Sequence, residues 1–131
     1  MFFMLIAEVS AKYEISHDTL RYYERIGLVP TVHRNKSGIR DYTEEDCKWV
    51  EFSKCMRAAG LPIEILIEYV ALFQQGDSTI AARKELLIEQ RRKLYEKQEA
   101  MKRTIERLDY KIKRYDTLSI GKKHDVKDTK D

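Results

Sequence analysis

Two prolines, five glycines, two cysteines and three histidines are all that this chain of 131 residues holds of those types. Cys47 and Cys55 lie eight positions apart on one predicted helix. At the α-helical rise their Cα atoms stand ~12 Å apart, too far for an intrachain disulfide, so both are expected as thiols. His17, His33 and His124 fall on different predicted elements without ligand spacing, which excludes a zinc centre; no metal or cofactor is expected. Long apolar runs are missing too, since no stretch approaches the ~20 residues that cross a bilayer. Met1 to Ile6 is apolar, but it has neither a basic leader nor a cleavage site and runs into the first predicted helix, so a cytoplasmic, membrane-free protein is expected. No nucleophile–base pair and no phosphate-binding glycine loop is visible, which argues against an enzyme. Nor is there a large excess of charge of one sign. The formal net charge is +3, with an acidic middle over 43–77 and a basic remainder, so cationic groups matter here by clustering rather than by total.

What is present begins with Ser16 to Tyr42. Ser16 suits an N-cap, with Asp18 at the positive end of the helix dipole, and the helix continues through Thr19-Leu20-Arg21-Tyr22-Tyr23-Glu24 to Gly27-Leu28. Just upstream, Ile6 to Tyr13 has apolar residues at helical spacing, and Glu14-Ile15 leaves a short turn before the cap. Helix, tight turn, helix is the predicted order. Such a second helix enters a major groove N-terminus first, so His17, Thr19 and Arg21 are groove candidates, while Leu20 and Ile26 pack inward. Arg21 can fork onto guanine or phosphate, and the hydroxyls of Tyr22 and Tyr23 suit phosphate oxygens. A cationic turn follows, Arg34-Asn35-Lys36-Ser37-Gly38-Ile39-Arg40-Asp41-Tyr42. Taken singly, paired tyrosines read as a core edge and a basic turn as solvated surface. Their order and spacing together favour DNA.

From Thr43 the pattern is helical again. Thr43-Glu44-Glu45-Asp46 reads as a cap with an acidic first turn, Gly60 as the stop, and Pro62 as the opening position of the next helix. Trp49, Phe52, Met56 and Ala59 share one face at 100° per residue, which is predicted to be core. A helix from Ile63 to about Gln75 closes a small domain, and Gly76-Asp77-Ser78 separates it from the last segment. There Ile80, Leu87, Leu94, Met101, Leu108 and Tyr115 recur every seven residues, with Ile105 and Ile112 in the complementary column. From Ser78 to about Asp116 this helix spans ~58 Å. Its stripe of Leu94, Met101, Ile105, Leu108 and Ile112 has nothing to cover it within so short a chain and calls for a second copy. The expected organisation is a DNA-binding domain over 1–77, a coiled-coil dimerisation helix over 78–118 and a disordered tail over 119–131.

These features resemble MerR-family transcriptional regulators over about Ile6 to Tyr115. The family pattern joins a helix-turn-helix bearing R-Y-Y-E-x-x-G-L to a wing bearing R-x-x-x-G-x-R-x-Y, two further helices and a long dimerisation helix. Here Arg21-Tyr22-Tyr23-Glu24 with Gly27-Leu28, and then Arg34, Gly38, Arg40 and Tyr42, supply it, while Ile39 stands where many members carry Tyr. The resemblance implies a mostly α fold, a winged helix-turn-helix followed by an antiparallel coiled coil. It also implies a homodimer on an inverted repeat in double-stranded promoter DNA, with RNA polymerase at the same promoter. Members activate by bending and untwisting a promoter spacer. The implied DNA-facing set is Ser16, His17, Thr19, Arg21, Tyr22, Tyr23, Arg34, Lys36, Gly38, Arg40, Tyr42 and Arg57.

On the helical wheel Cys55 falls about 80° from the centre of the predicted core face and Cys47 about 160°, at the core margin and on the polar side. Composition alone reads Cys55 as a small hydrophobe, and Glu51 one turn before it disfavours a thiolate. The segment Cys47 to Ile63 is nevertheless similar to the thiol-dependent branch of the family that responds to formaldehyde, other reactive carbonyls or nitrosative stress. That likeness makes Cys55 the implied sensor, gives Cys47 no role, and sets the sensor two residues from Arg57. Metal-sensing, iron–sulfur and drug-sensing branches carry additional cysteines or an effector domain that this sequence does not show. Two alternatives stay open: a regulator of this type with a non-thiol signal, and a coiled-coil protein-interaction module.

Overall fold

A computed structural model describes residues 2–121 of the chain. In order it contains strand β1 (Phe3–Met4), helices α1 (Ile6–Tyr13) and α2 (His17–Arg25), strand β2 (Tyr42–Thr43), helices α3 (Glu44–Ala58) and α4 (Ile63–Gln74), a 3-10 turn over Asp77–Thr79, and helix α5 (Ile80–Gly121). The fold is the expected one: mostly helical, a winged helix-turn-helix followed by a long helix.

Local chemistry sets the starts of these helices. The Glu8 carboxylate accepts from the Leu5 N–H at 2.8 Å, and Ser16 Oγ accepts from the Thr19 N–H at 3.0 Å. Thr43 and Asp46 cap reciprocally, each side chain accepting from the other's backbone N–H, which satisfies donors that a helix start leaves open. Glu14 turns the chain between α1 and α2 in the left-handed conformation, φ 55°. Gly60 ends α3 at φ +93°, a conformation that costs a side-chain-bearing residue about 1–2 kcal/mol. Pro62 sits one place earlier than expected, as the N-cap of α4.

Two compact units meet between Leu87 and Ile88. The first turns of α5, which follow the boundary expected at residue 77, group with the first unit because they are tied to the end of α4. The Thr79 hydroxyl lies 2.6 Å from the Leu72 carbonyl and 2.8 Å from that of Gly76. Arg83 donates to Thr79 Oγ1 and to the Gly76 carbonyl, with its guanidinium over the Phe73 ring.

Within the first unit, β1 pairs antiparallel with β2, Phe3 opposite Thr43 and Met4 opposite Tyr42. The core beneath is built from Val9 of α1, Leu20 of α2, Tyr42, Val50 of α3 and Val70 of α4. The inward face of α3 differs from the expected one. Cys47, Val50 and Ser53 are buried together with Trp49, whereas Met56 is half-buried and Ala59 exposed. Ser53 is tolerated at the centre of this buried face because its hydroxyl donates to the Leu28 carbonyl at 2.9 Å. Phe52 and Tyr69 pack against this core, and with Trp49 and Phe73 they form an aromatic contact between α3 and α4.

In the second unit, Met101, Ile105, Leu108 and Ile112 are 51–61% exposed, and Leu94 is half-buried. Arg92 bonds Glu89 one turn behind and Glu96 one turn ahead. Helix α5 is 42 residues long, ~63 Å. It runs past the end expected near Asp116, and the first three residues of the expected tail, 119–121, are helical; residues 122–131 lie outside the described part of the chain.

Candidate nucleic-acid interface

Helix α2 offers one open face. His17 and Arg21 are exposed, as is Tyr22 at 41%. Arg21 pairs weakly with Asp18 at 3.2 Å, an exposed contact easily exchanged for another anion. The Arg25 guanidinium lies over the Tyr22 ring, 5.2 Å from its centroid. Ser16 and Thr19 are joined hydroxyl to hydroxyl at 2.9 Å, so both already serve the helix start. Tyr23 is half-buried and packs against the core, which leaves Tyr22 as the more accessible of the pair.

Beside α2 the wing is a short hairpin closed by a bridge between Arg34 and Arg40. Asn35 organises its turn, its side-chain oxygen accepting from the N–H groups of Ser37 and Ile39. Gly38 supplies the left-handed residue at φ +81° that the reversal needs. Arg34 reaches back to the Gly38 carbonyl at 2.8 Å. Lys36 and Ile39 are left exposed at the tip.

The contact that joins helix to wing was invisible in the sequence. Glu24 accepts from Arg40 Nε at 2.7 Å with one carboxylate oxygen and from the Val32 N–H at 3.1 Å with the other. It stood in the quoted motif without a role, and no local spacing rule connects it to a residue sixteen positions away.

One expected DNA contact is corrected. Tyr42 is fully buried, and its hydroxyl has no hydrogen-bond partner. Burial pushes its pKa above the ordinary phenol value. As part of the β1–β2 pair it belongs to the core and cannot face a ligand. Arg57 is exposed and donates to the Leu61 carbonyl at 2.8 Å, closing the turn between α3 and α4.

The cysteines change places relative to expectation, as the rotated face of α3 requires. Cys47 is buried beside Met4, the sulfurs 3.9 Å apart, and Cys55 is exposed. Burial raises the Cys47 pKa, partly offset by Lys12. Among the described residues no three His, Cys, Asp or Glu side chains gather where a metal ion could sit. No described helix is long and apolar enough to cross a membrane.

Taken together, Arg21, Tyr22, Arg25, Arg34 and Lys36 place cationic and hydrogen-bond-donating groups on neighbouring exposed elements, with Asp18 and Ile39 among them, a combination suited to phosphate oxygens and base edges. Comparison with known proteins agrees with the geometry. The chain is 58% identical over 93 residues to the HTH-type transcriptional regulator AdhR of Bacillus subtilis, a match covering 71% of this chain and 66% of that relative. A candidate MerR family regulator from Listeria monocytogenes superposes with a TM-score of 0.86 at 50% identity, covering 89% of each chain. HiNmlR, a MerR family regulator lacking the sensor domain and solved bound to promoter DNA, superposes with a TM-score of 0.78 at 30% identity, covering 92% of this chain and 95% of that one. All three relatives are regulators. Residues 4–72 match the MerR HTH family regulatory protein pattern, and the chain belongs to that family of transcriptional regulators.

Proposed function

We propose that this regulator binds double-stranded promoter DNA as a homodimer, with α2 in the major groove and the wing on the adjacent backbone. The observation that carries the reading is the open, cationic face of α2 and the hairpin, in a fold whose relative HiNmlR was solved on promoter DNA. Ser16, His17, Thr19 and Arg21 approach base edges or nearby phosphates, and Tyr22, Tyr23, Arg34, Lys36, Arg40 and Arg57 approach phosphate, while Gly38 shapes the turn. The exposed stripe of Met101, Ile105, Leu108 and Ile112, with Leu94, pairs antiparallel with a second copy, so the operator is an inverted repeat. Bound there, the dimer bends and untwists the promoter spacer so that RNA polymerase can use both promoter elements.

Cys55 is the sensor in this reading, and Cys47 is dispensable. Because Cys55 faces solvent, its thiolate can add to a carbonyl carbon while the carbonyl oxygen takes up a proton. The resulting adduct sits on the helix whose last turn carries Arg57, without first displacing the core. Anisotropy titration of a duplex from the gene's own upstream region tests the binding, and light scattering tests the dimer. Binding no tighter than to an unrelated duplex, or a folded monomer at micromolar concentration, overturns the respective claim. Promoter output under aldehyde challenge tests the signal: induction is expected to survive Cys47→Ser and to disappear in Cys55→Ser.

A further inference from the structure

From the wing and recognition helix we infer that Glu24 is a positioning residue for DNA recognition: it aims the Arg40 guanidinium so that its outer branch meets a backbone phosphate. The inference rests on the DNA-binding reading above and adds to it the residue through which the wing is oriented.

Three observations carry it. The Glu24 side chain is only 10% exposed although it belongs to the helix whose neighbouring face is open, while 21% of the Arg40 side chain remains accessible. A carboxylate so enclosed is costly unless donors surround it, and here both oxygens are used, one by Arg40 Nε and one by the Val32 N–H. Its two bonds reach the start of the wing and its returning strand, so a single side chain fixes the hairpin against α2. Second, the bond to Arg40 uses Nε, the inner nitrogen of the guanidinium. A guanidinium carries five N–H donors in a rigid plane, so holding Nε fixes the direction of Nη1 and Nη2. Third, the two charges offset each other at 2.7 Å, so by charge alone removing the Glu24 carboxylate would strengthen DNA binding, and only a loss of aim in Arg40 would weaken it. Glu24 thereby acts through Arg40 without touching DNA.

The alternative is that the pair merely stabilises the domain. The two roles separate by salt dependence, since each phosphate contact contributes about one unit to the slope of log affinity against log salt. The experiment uses the full chain and a duplex from its own upstream region, titrated at several salt concentrations with thermal melts alongside. Glu24→Gln is expected to weaken binding about tenfold and to flatten the slope by about 1. Arg40→Gln is expected to do the same, and the double variant to lose no more than either alone. Arg40→Lys keeps the ion pair and the charge but has no second branch to present, so it is expected to lose the same unit of slope with its melting temperature unchanged. Losses in Glu24→Gln that add to those of Arg40→Gln, or a parental slope in Glu24→Gln whatever Arg40→Lys does, overturn the inference. A parent that fails to distinguish its upstream duplex from an unrelated one overturns the DNA-binding reading itself, and is seen before any variant is made.

Discussion

Replacing Tyr42 with phenylalanine removes one oxygen from the centre of the first unit, and the structure assigns the sign of the effect. The ring is fully buried among Val9, Leu20 and Val50, and Phe fills the same volume there. The hydroxyl is buried with no partner, and leaving such a group unbonded away from water costs about 1–3 kcal/mol. Tyr42→Phe is therefore expected to stabilise the domain by about 1 kcal/mol or more, allowing for partial relaxation around the hydroxyl. Across a unit of this size each kcal/mol shifts the melting temperature by ~4–8 °C. Calorimetry of parent and variant at neutral pH measures that shift, and anisotropy on the upstream duplex supplies the second readout. Because Tyr42 belongs to the core, affinity and salt slope should stay at parental values even though the residue stands in the wing motif. A lower melting temperature would show that the hydroxyl has a bonding partner. A flatter salt slope with an intact fold would return Tyr42 to the DNA-facing set.

Ser53→Ala should move stability the other way, by about 1–3 kcal/mol, because it deprives the buried Leu28 carbonyl of its 2.9 Å donor; calorimetry again decides. In a thiol-labelling time course on the native protein, Cys55 should react at the rate of an open thiol, and Cys47 only after unfolding, since it is 3% exposed and burial raises its pKa. Equal labelling rates would contradict the assignment of the two sites. Raised folded-state values for Cys47 and Tyr42 mean that the unfolded chain gives up these protons first as pH rises. Their contribution to stability is present below the ordinary values of 9.0 and 10.0 and is lost as pH climbs through the folded values. Melting temperature should therefore fall in this alkaline range, and fall less steeply in Tyr42→Phe.

The parts of this molecule that were legible in its sequence are those governed by a few consecutive residues. Ser16 and Thr43 announced the starts of α2 and α3 because a cap is made within three residues of itself. The seven-residue recurrence along α5 was legible for a related reason, since periodicity is a property of one helix. Failures came where a residue's role depends on a partner distant in sequence. Hydrophobic periodicity placed the core face of α3 on Trp49, Phe52, Met56 and Ala59; Trp49 is in the core and Phe52 packs against it, but Ser53 was missed because periodicity cannot register that it satisfies a carbonyl twenty-five positions earlier. With Ser53 satisfied in the interior, the buried face centres on Val50 and Ser53, which places Cys47 in the core and Cys55 outside it. Motif matching failed in the same way at Tyr42, where a position in a DNA-binding pattern holds a core side chain. The error had a useful consequence for function. The wheel put the implied sensor at the margin of the core, where an adduct would have to force packing apart. The structure puts it in solvent, on a helix whose last turn carries Arg57 and whose buried face holds Ser53 against the loop after α2. A modification there is accessible to a reagent in the folded state, and the helix it alters is already bonded to the chain leaving the proposed recognition helix.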